Sequence, residues 1–165
     1  MHPETKKVEV RKGLMKRDDF IAAYQSDAGK YADSSPFLVH MRIISAGDGG
    51  PKNTHPHRIK GGALIHNGTL FYPNGKHAGK ADDRKSDTRV FANVLHNILD
   101  LQSVRIAEKA ILNEVGANNK LVFLYDNKEY FIMNESSGIW EDDIWYSNSY
   151  SCEVGDWYRN KNKKG

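Results

Sequence analysis

The chain has 165 residues, of which 39% are hydrophobic and 27% charged, with a formal net charge of +3. This mix is typical of one soluble globular domain with its own core. No apolar run approaches the roughly 18 residues of a membrane span. The charged first residues also lack the apolar stretch of a signal peptide. We therefore expect neither a membrane-spanning segment nor a membrane partner.

The cysteine content argues against a disulfide-bonded protein, and the basic C-terminus does not indicate a nucleic-acid-binding protein. The single cysteine, Cys152, has no partner for an internal disulfide, so the cytoplasm is the predicted compartment. Part of the positive charge lies in a basic tail, 159–165, with no aromatic residues between its cations, which is typical of a solvated tail rather than of a nucleic-acid partner's site. No repeat or long linker divides residues 1–158, which we interpret as a single domain.

The first third of the chain predicts two strands on either side of a helix. Residues 7–11 alternate valines with charged side chains, which is typical of a half-buried strand. Apolar residues at helical spacing predict a helix over 16–24, and a β-branched and apolar run predicts a buried strand over 37–44. A loop rich in glycine, proline and asparagine follows over 46–57.

The middle of the chain predicts a hairpin and a long loop. A short strand over 61–66 ends at an Asn-Gly pair, and 69–72 is its expected hairpin partner. The polar stretch 73–85 has no periodicity, and loops of this length are usually functional lids or disordered.

Two helices and a β-rich segment complete the pattern. The helices are predicted over 87–99, with Ser86 as its N-cap, and over 103–115. The later strands are predicted over 121–125, 130–133 and the aromatic run 139–146. Strands, then helices, then strands predict an α+β fold with helices packed over antiparallel sheets.

The tripeptide His66-Asn67-Gly68 stands at the end of a predicted strand. An asparagine amide and a neighbouring glycine N–H are able to point at one spot, where they would stabilise an oxyanion. Glycine also permits close approach of the backbone to a ligand. The alternative is that Asn-Gly is only a hairpin turn, for which it is the strongest short signal.

Two charged residues in apolar or capping positions are candidates to bind a ligand. Arg42 shares one strand face with His40 and would hold a carboxylate bidentately, unless both side chains simply face solvent. Asp87 opens a helix, where its carboxylate would accept an ammonium group. Alternatively, Ser86 and Asp87 only cap that helix, a contribution of about 0.3–1 kcal/mol from the helix dipole.

Four histidines within one segment raise the question of a metal: His40, His55, His57 and His66. No cysteine and no helical i, i+4 histidine pair accompanies them, and the neighbouring acid Asp48 lies in a flexible loop. We therefore expect His55 to be part of a turn and His66 to be a hydrogen-bonded strand residue. No metal and no other cofactor is expected.

The order of the short motifs resembles a known family. In chain order they are His40-Met41-Arg42, Gly47, Asn53-Thr54-His55-Pro56, His66-Asn67-Gly68 and Ser86-Asp87-Thr88. This order is similar to that of class II glutamine amidotransferases of the N-terminal nucleophile hydrolase superfamily, above all the small free-standing bacterial and bacteriophage forms. The resemblance extends over residues 7–150.

The resemblance implies a four-layer αββα sandwich, with two antiparallel sheets between helix layers, and a glutamine pocket. Carried over to this chain, Arg42 would hold the α-carboxylate of glutamine and Asp87 its α-ammonium group. Asn67 and Gly68 would form the oxyanion hole, and His66 would belong to the substrate-binding residues.

The resemblance fails at the nucleophile. In the family an N-terminal cysteine attacks the side-chain amide of glutamine and its α-amino group is the base, whereas this chain starts Met1-His2-Pro3. The family's first strands, before residue 8, are missing as well. Cys152 lies in the C-terminal tail without a helical or basic setting that would activate its thiol.

Three explanations for the missing nucleophile stay open: a true start upstream, a nucleophile on a separate fragment, or lost catalysis. Two functions follow. One is an enzyme that hydrolyses glutamine to glutamate and ammonia once a cysteine is supplied upstream. The alternative is a catalytically inactive amidotransferase-like protein of phage type that binds a small molecule or a protein partner.

Overall fold

The structure of the chain is a computed structural model, which describes residues 7–31, 35–44, 47–71, 84–98, 103, 106–116 and 118–149. These residues hold three α-helices and two antiparallel sheets, so the predicted α+β class is confirmed. Among the helices of the described ranges, none has both the length and the apolar character needed to cross a bilayer.

The larger sheet has four antiparallel strands in their order along the chain. They are β1 (His57–Ile59), β2 (Gly62–Asn67), β3 (Lys120–Tyr125) and β4 (Tyr130–Met133). Leu64 of β2 lies opposite Phe123 of β3 on one side and His57 of β1 on the other. Since residues two apart share a face, Leu64, His66 and Phe123 point to the same side of this sheet.

The smaller sheet is a hairpin of β5 (Ile139–Glu141) and β6 (Ile144–Tyr146). Asp142 and Asp143 join the strands, and both have positive φ, at 47° and 62°. Two successive residues with positive φ give the backbone twist that a two-residue hairpin connection needs.

Three helices accompany the sheets: α1 (Arg17–Tyr31), α2 (Asp87–Ile98) and α3 (Glu108–Val115). The Ser86 hydroxyl accepts the Arg89 N–H at 3.2 Å and so caps α2 as predicted. Gly116, with φ at 87°, ends α3, and its N–H donates to the Leu112 carbonyl at 2.8 Å.

The core lies between one face of the larger sheet and the helices α2 and α3. Its buried members are Ile59, Leu64, Ala92, Leu95, Leu121, Phe123, Tyr125 and Met133. Burying a side chain of this size contributes about 1.5–3 kcal/mol. By contrast, α1 buries none of its residues, although Ala63, Val122 and Ile132 on the opposite face of the sheet are buried.

Most predicted elements are confirmed with shifted bounds. The helix predicted over 16–24 is α1, which continues to Tyr31. The strands predicted over 61–66, 121–125 and 130–133 are β2, β3 and β4. The helix predicted over 87–99 is α2 as far as Ile98, and the regular part of the one predicted over 103–115 is α3.

Two predicted strands at the N-terminal side are wrong. Residues 7–11 and 37–44 have no regular secondary structure, because neither segment pairs with a strand. Val39, Met41 and Ile43 are 45%, 77% and 91% exposed, so the second segment is not buried either. The alternation itself holds, since His40 and Arg42 are less exposed than their odd-numbered neighbours.

One predicted hairpin and one predicted strand are also wrong. The hairpin partner of β2 is β1, which precedes it, so the turn lies at Lys60 and Gly61 and not at Asn67 and Gly68. The run 139–146 forms two strands because the Asp142–Asp143 turn interrupts it. The loop predicted over 73–85 falls outside the described residues except for Arg84 and Lys85.

Candidate functional site

The His66 ring lies at the centre of the four sequence motifs. It is 3% exposed and stands near the end of β2, on the core side of the sheet. Its Nδ1 lies 2.8 Å from Thr88 Oγ1 at the start of α2, and its Nε2 lies 2.7 Å from Asn119 Oδ1 just before β3. One imidazole therefore joins three separate elements.

The contacts of Asn119 assign the proton on His66. Asn119 Nδ2 donates to the Val115 carbonyl, so its Oδ1 faces His66 as an acceptor. His66 must then donate from Nε2 and accept the Thr88 hydroxyl proton at Nδ1. Burial lowers the pKa of His66, which is consistent with this neutral tautomer.

Two further histidines hold the backbone of His66. His40 Nε2 donates to the His66 carbonyl at 3.0 Å, and the His66 N–H donates to His55 Nδ1 at 3.3 Å. The rings of His40 and His55 are in contact, with centroids 3.9 Å apart. Burial lowers the pKa of His40 to about 4 and also lowers the pKa of His55, so neither ring carries charge at neutral pH.

Asn53 is the second junction of the site and is fully buried. Its Nδ2 donates to the carbonyl and to the carboxylate of Asp48, at 3.1 and 2.7 Å, and its Oδ1 accepts the Ser86 N–H at 3.0 Å. A Cβ on Gly47 would lie 2.6 Å from the Ser86 nitrogen, so this loop packs tightly against the chain entering α2. The asparagine thereby joins the loop at 47–53 to α2.

Arg42 reaches the same loop. Its Nη1 donates to the Asp48 carbonyl at 3.2 Å, the same oxygen that Asn53 contacts. The side chain also lines a cavity of about 540 Å³, together with His40 and His55. The arginine is therefore linked to the start of α2 through Asp48 and Asn53.

Asp87 is buried at the first position of α2. Its Oδ2 accepts the Leu70 N–H at 2.8 Å, and its Oδ1 accepts the Thr88 N–H at 2.8 Å. The Thr88 hydroxyl lies 3.3 Å from the same Oδ1. Each carboxylate oxygen thus has a main-chain donor, and a carboxylate at this end of a helix also complements the helix dipole.

Asn67 and Gly68 follow His66 at the end of β2. Successive strand residues face opposite sides of a sheet, so the Asn67 side chain points away from the core, where its Nδ2 donates to Ser147 Oγ at 2.8 Å. Gly68 has φ at 138°, and a Cβ there would overlap the Asn119 amide and lie 3.0 Å from His66 Nε2. A glycine is required by both the backbone and the space.

The structure brings together all four motifs, which are far apart in the chain. His40, His55 and Thr88 contact His66, and Asn53 contacts Ser86. Comparison with known proteins adds nothing further. No protein-family model, curated protein or solved structure matches this chain. The contacts of the site itself therefore carry the functional proposal.

The cavity beside Arg42 coincides only in part with the predicted pocket. It lies against the side of the sheet that faces α1, where Ala63 and Leu124 contribute to its wall. Arg42 lines it, whereas Asp87, Asn67 and Gly68 do not. The predicted carboxylate and ammonium sites therefore do not share this one cavity.

Asn119 and Thr88 were not assigned roles from the sequence. Asn119 follows a helix end in a polar turn, where nothing in the local pattern indicates that its side chain is buried. Thr88 belongs to a quoted motif, and only the fold shows that its hydroxyl contacts His66. Within the described ranges, no three His, Cys, Asp or Glu residues are grouped in a way that would hold a metal ion.

Proposed function

We propose that this chain carries a glutamine-binding pocket of the class II amidotransferase kind, built on a four-layer αββα sandwich. One observation carries the proposal: His66 and Asn53 join the four motifs of the family's glutamine pocket into one hydrogen-bonded unit. A chance set of polar motifs has no physical reason to converge in this way. The hairpin turn of β1 and β2 lies at Lys60 and Gly61, so Asn67 and Gly68 do not form that turn. This removes the alternative interpretation of the Asn-Gly pair and supports the proposed pocket.

In the proposed pocket, Arg42 binds the α-carboxylate of glutamine. A guanidinium presents a planar fork that holds a carboxylate through two charge-assisted hydrogen bonds. Arg42 is only partly exposed and already points toward the 47–53 loop, through its contact with Asp48. Asp87 accepts the α-ammonium group in this proposal, since each of its oxygens keeps a second lone pair beside the main-chain donor it already has. Because Asp87 is buried and does not line the cavity beside Arg42, one glutamine reaches both groups only if the segments between them move apart.

Asn67 and Gly68 supply the oxyanion donors in this proposal, and the substrate oxygen replaces Ser147 Oγ on the Asn67 amide. His66 has a different task. Because Thr88 and Asn119 occupy both of its ring nitrogens, it positions β2 against α2 rather than touching the substrate.

Hydrolysis is a separate step that needs a thiolate nucleophile. The thiolate would attack the amide carbon of the glutamine side chain, ammonia would leave, and water would hydrolyse the thioester to glutamate. The sole cysteine of the sequence, Cys152, lies outside the described residues. We propose that this chain binds glutamine and hydrolyses it only when a cysteine is supplied from outside it.

The second candidate is a structural or protein-binding role for the same fold. The occupied nitrogens of His66 and the two main-chain donors on Asp87 favour it, because these groups already have a structural use. In that case the motifs would stabilise the fold without binding an amino acid.

Calorimetric titration with L-glutamine separates the two candidates. We expect binding by the unaltered chain, weakened by about tenfold or more in Arg42→Ala, because a charge-assisted carboxylate fork is lost. Arg58→Ala, an exposed arginine on β1 that does not line the cavity beside Arg42, is the matched control and should bind glutamine as the unaltered chain does. A folded chain that takes up no glutamine, or that binds equally well without Arg42, would refute the glutamine pocket and favour the structural role.

A further inference from the structure

A second pocket lies between the edge strand β1 and α2, next to the cavity beside Arg42, with which it shares Lys12. Its volume is about 490 Å³. Lys12, Lys52, Arg58 and Arg89 line it together with His57. We call these five residues the basic pocket. Four cationic side chains around one small concavity create a strongly positive local field.

The cations of the basic pocket form no ion pair with a carboxylate of the described residues. In the described part of the chain, the carboxylates within 4.0 Å of a cation, Glu9 and Asp27, both pair with Arg11, which is not a member of the pocket. Among the described residues that line the pocket, none has an acidic side chain. Partial burial and the charge of Arg89 lower the pKa of Lys12, as expected where like charges are held close together.

His57 supplies a buried donor that has no acceptor. The residue is 5% exposed, and its Nδ1 lies 3.5 Å from Lys12 Nζ, which has only protons to offer. His57 Nδ1 is therefore the acceptor and its proton is on Nε2. That Nε2 is buried, and it finds no hydrogen-bond partner in the described part of the chain. An orphaned buried donor is rare in folded proteins and is costly.

We propose that the basic pocket binds the phosphate group of a small phosphorylated molecule. Arginine forks and lysine ammonium groups are the side chains that proteins use to hold phosphate oxygens. The volume falls within the roughly 300–1,000 Å³ of small-molecule sites. Lys12 lines both this pocket and the cavity beside Arg42, whereas Lys52 and Arg89 line only the basic pocket. Variants at Lys52 and Arg89 therefore test the basic pocket separately from the glutamine pocket.

A nucleic acid fits this surface less well. Single-stranded nucleic acids are bound by basic grooves that carry aromatic side chains for base stacking. The described lining of the basic pocket includes no Phe, Tyr or Trp, and its other described members are Pro51, Ala92 and Asn93. The basic pocket is a small open concavity beside β1 and α2 rather than an extended groove.

Calorimetric titration with pyrophosphate at low ionic strength tests the proposal. In Lys52→Gln/Arg89→Gln we expect the dissociation constant to rise by about tenfold or more, since two charge-assisted contacts are removed. The matched control is Arg17→Gln/Lys109→Gln, which removes the same charges from exposed positions on α1 and α3. The control should bind pyrophosphate within about twofold of the unaltered chain, because distant surface charges are screened. Absence of binding by the unaltered chain, or equal weakening in both double variants, would overturn the proposal.

Two further measurements keep the result interpretable. Thermal unfolding of both double variants checks that weakened binding is not lost folding. The NMR signals of the His57 ring should shift on addition of pyrophosphate, and unchanged signals would count against the site. Adenosine monophosphate as a second probe distinguishes a phosphorylated small molecule, which binds more tightly than phosphate alone, from free phosphate. Tighter binding of a single-stranded oligonucleotide through the same residues would overturn the choice of ligand.

Discussion

Replacing Asn53 by alanine tests whether the junction between the 47–53 loop and α2 is as strong as its contacts imply. The substitution removes a fully buried amide, whose two N–H protons are shared among the carbonyl and carboxylate of Asp48 and the Arg84 carbonyl, and whose oxygen accepts the Ser86 N–H. Asp48 and Arg84 are exposed, so water replaces those partners, whereas Ser86 is 1% exposed and its N–H is left buried and unpaired.

The expected loss of stability follows mainly from the buried Ser86 N–H, because water cannot replace its lost partner. An unpaired buried donor costs about 1–3 kcal/mol, and the emptied side-chain volume adds to it, so we expect the free energy of unfolding to fall by about 2–4 kcal/mol. Urea denaturation measures the loss. Asn113→Ala is the matched control, because Asn113 is exposed on α3 and alanine has the higher helix propensity. It should be neutral or stabilising by a few tenths of a kcal/mol, roughly.

A second substitution at the same position checks the direction of the hydrogen bonds. Asn53→Asp keeps an acceptor for Ser86 but places an oxygen against the oxygens of Asp48, so at pH 7 it should destabilise at least as much as alanine. The reasoning is refuted if Asn53→Ala unfolds at the same urea concentration as Asn113→Ala. A harmless Asn53→Asp would show that the amide is not a donor to Asp48.

The remaining predictions concern pH, glycine and turnover. Burial lowers the pKa of His57 from its ordinary 6.5 to about 3, so the unfolded chain binds the proton first and stability falls as the pH drops below about 6.5. His57→Gln should reduce the slope of unfolding free energy against pH by up to about 1.4 kcal/mol per pH unit, and an unchanged slope would contradict the role given to His57. Gly68→Ala should destabilise the fold by about 1–3 kcal/mol, because residue 68 has a positive φ and no room for a Cβ. Gly29→Ala, in an open helical position, should stabilise it by up to about 1 kcal/mol. Thermal unfolding measures both changes. The purified chain of 165 residues should release no ammonia from glutamine in a coupled assay, and measurable release would show that it carries its own nucleophile.

The strands of the larger sheet could be predicted because their side chains are apolar enough to indicate burial. Leu64 and Phe123 lie in short apolar runs bounded by turn residues, and runs of this length and composition are typical of buried strands. The segment 37–44 has the same composition, yet Met41 and Ile43 are exposed. Composition reports how well a residue suits a strand, but not whether a partner strand lies beside it.

The candidate site could be predicted as a set of motifs but not as a set of contacts. The order of the motifs predicted that His66 and Asp87 belong to one site, and the fold joins their segments through Thr88. Nothing local predicts that Asn119 completes the His66 ring contacts, because the two residues meet only through the pairing of β2 with β3. Contacts between distant segments depend on the whole topology, which single motifs do not encode.

The pairing of β2 with β3 also has a consequence for how the protein folds. It joins Gly62 to Tyr125 and Asn67 to Lys120, and the chain between these strands contains α2 with the Ser86-Asp87-Thr88 motif. The conformational entropy of closing so long a loop is lost before the contacts between the strands stabilise the sheet. Topologies with such long-range contacts fold slowly. The His66 contacts with Thr88 and Asn119 should therefore form late. In the cell, the larger sheet would be completed only after β3 has left the ribosome. The candidate site would therefore be among the last parts to assemble.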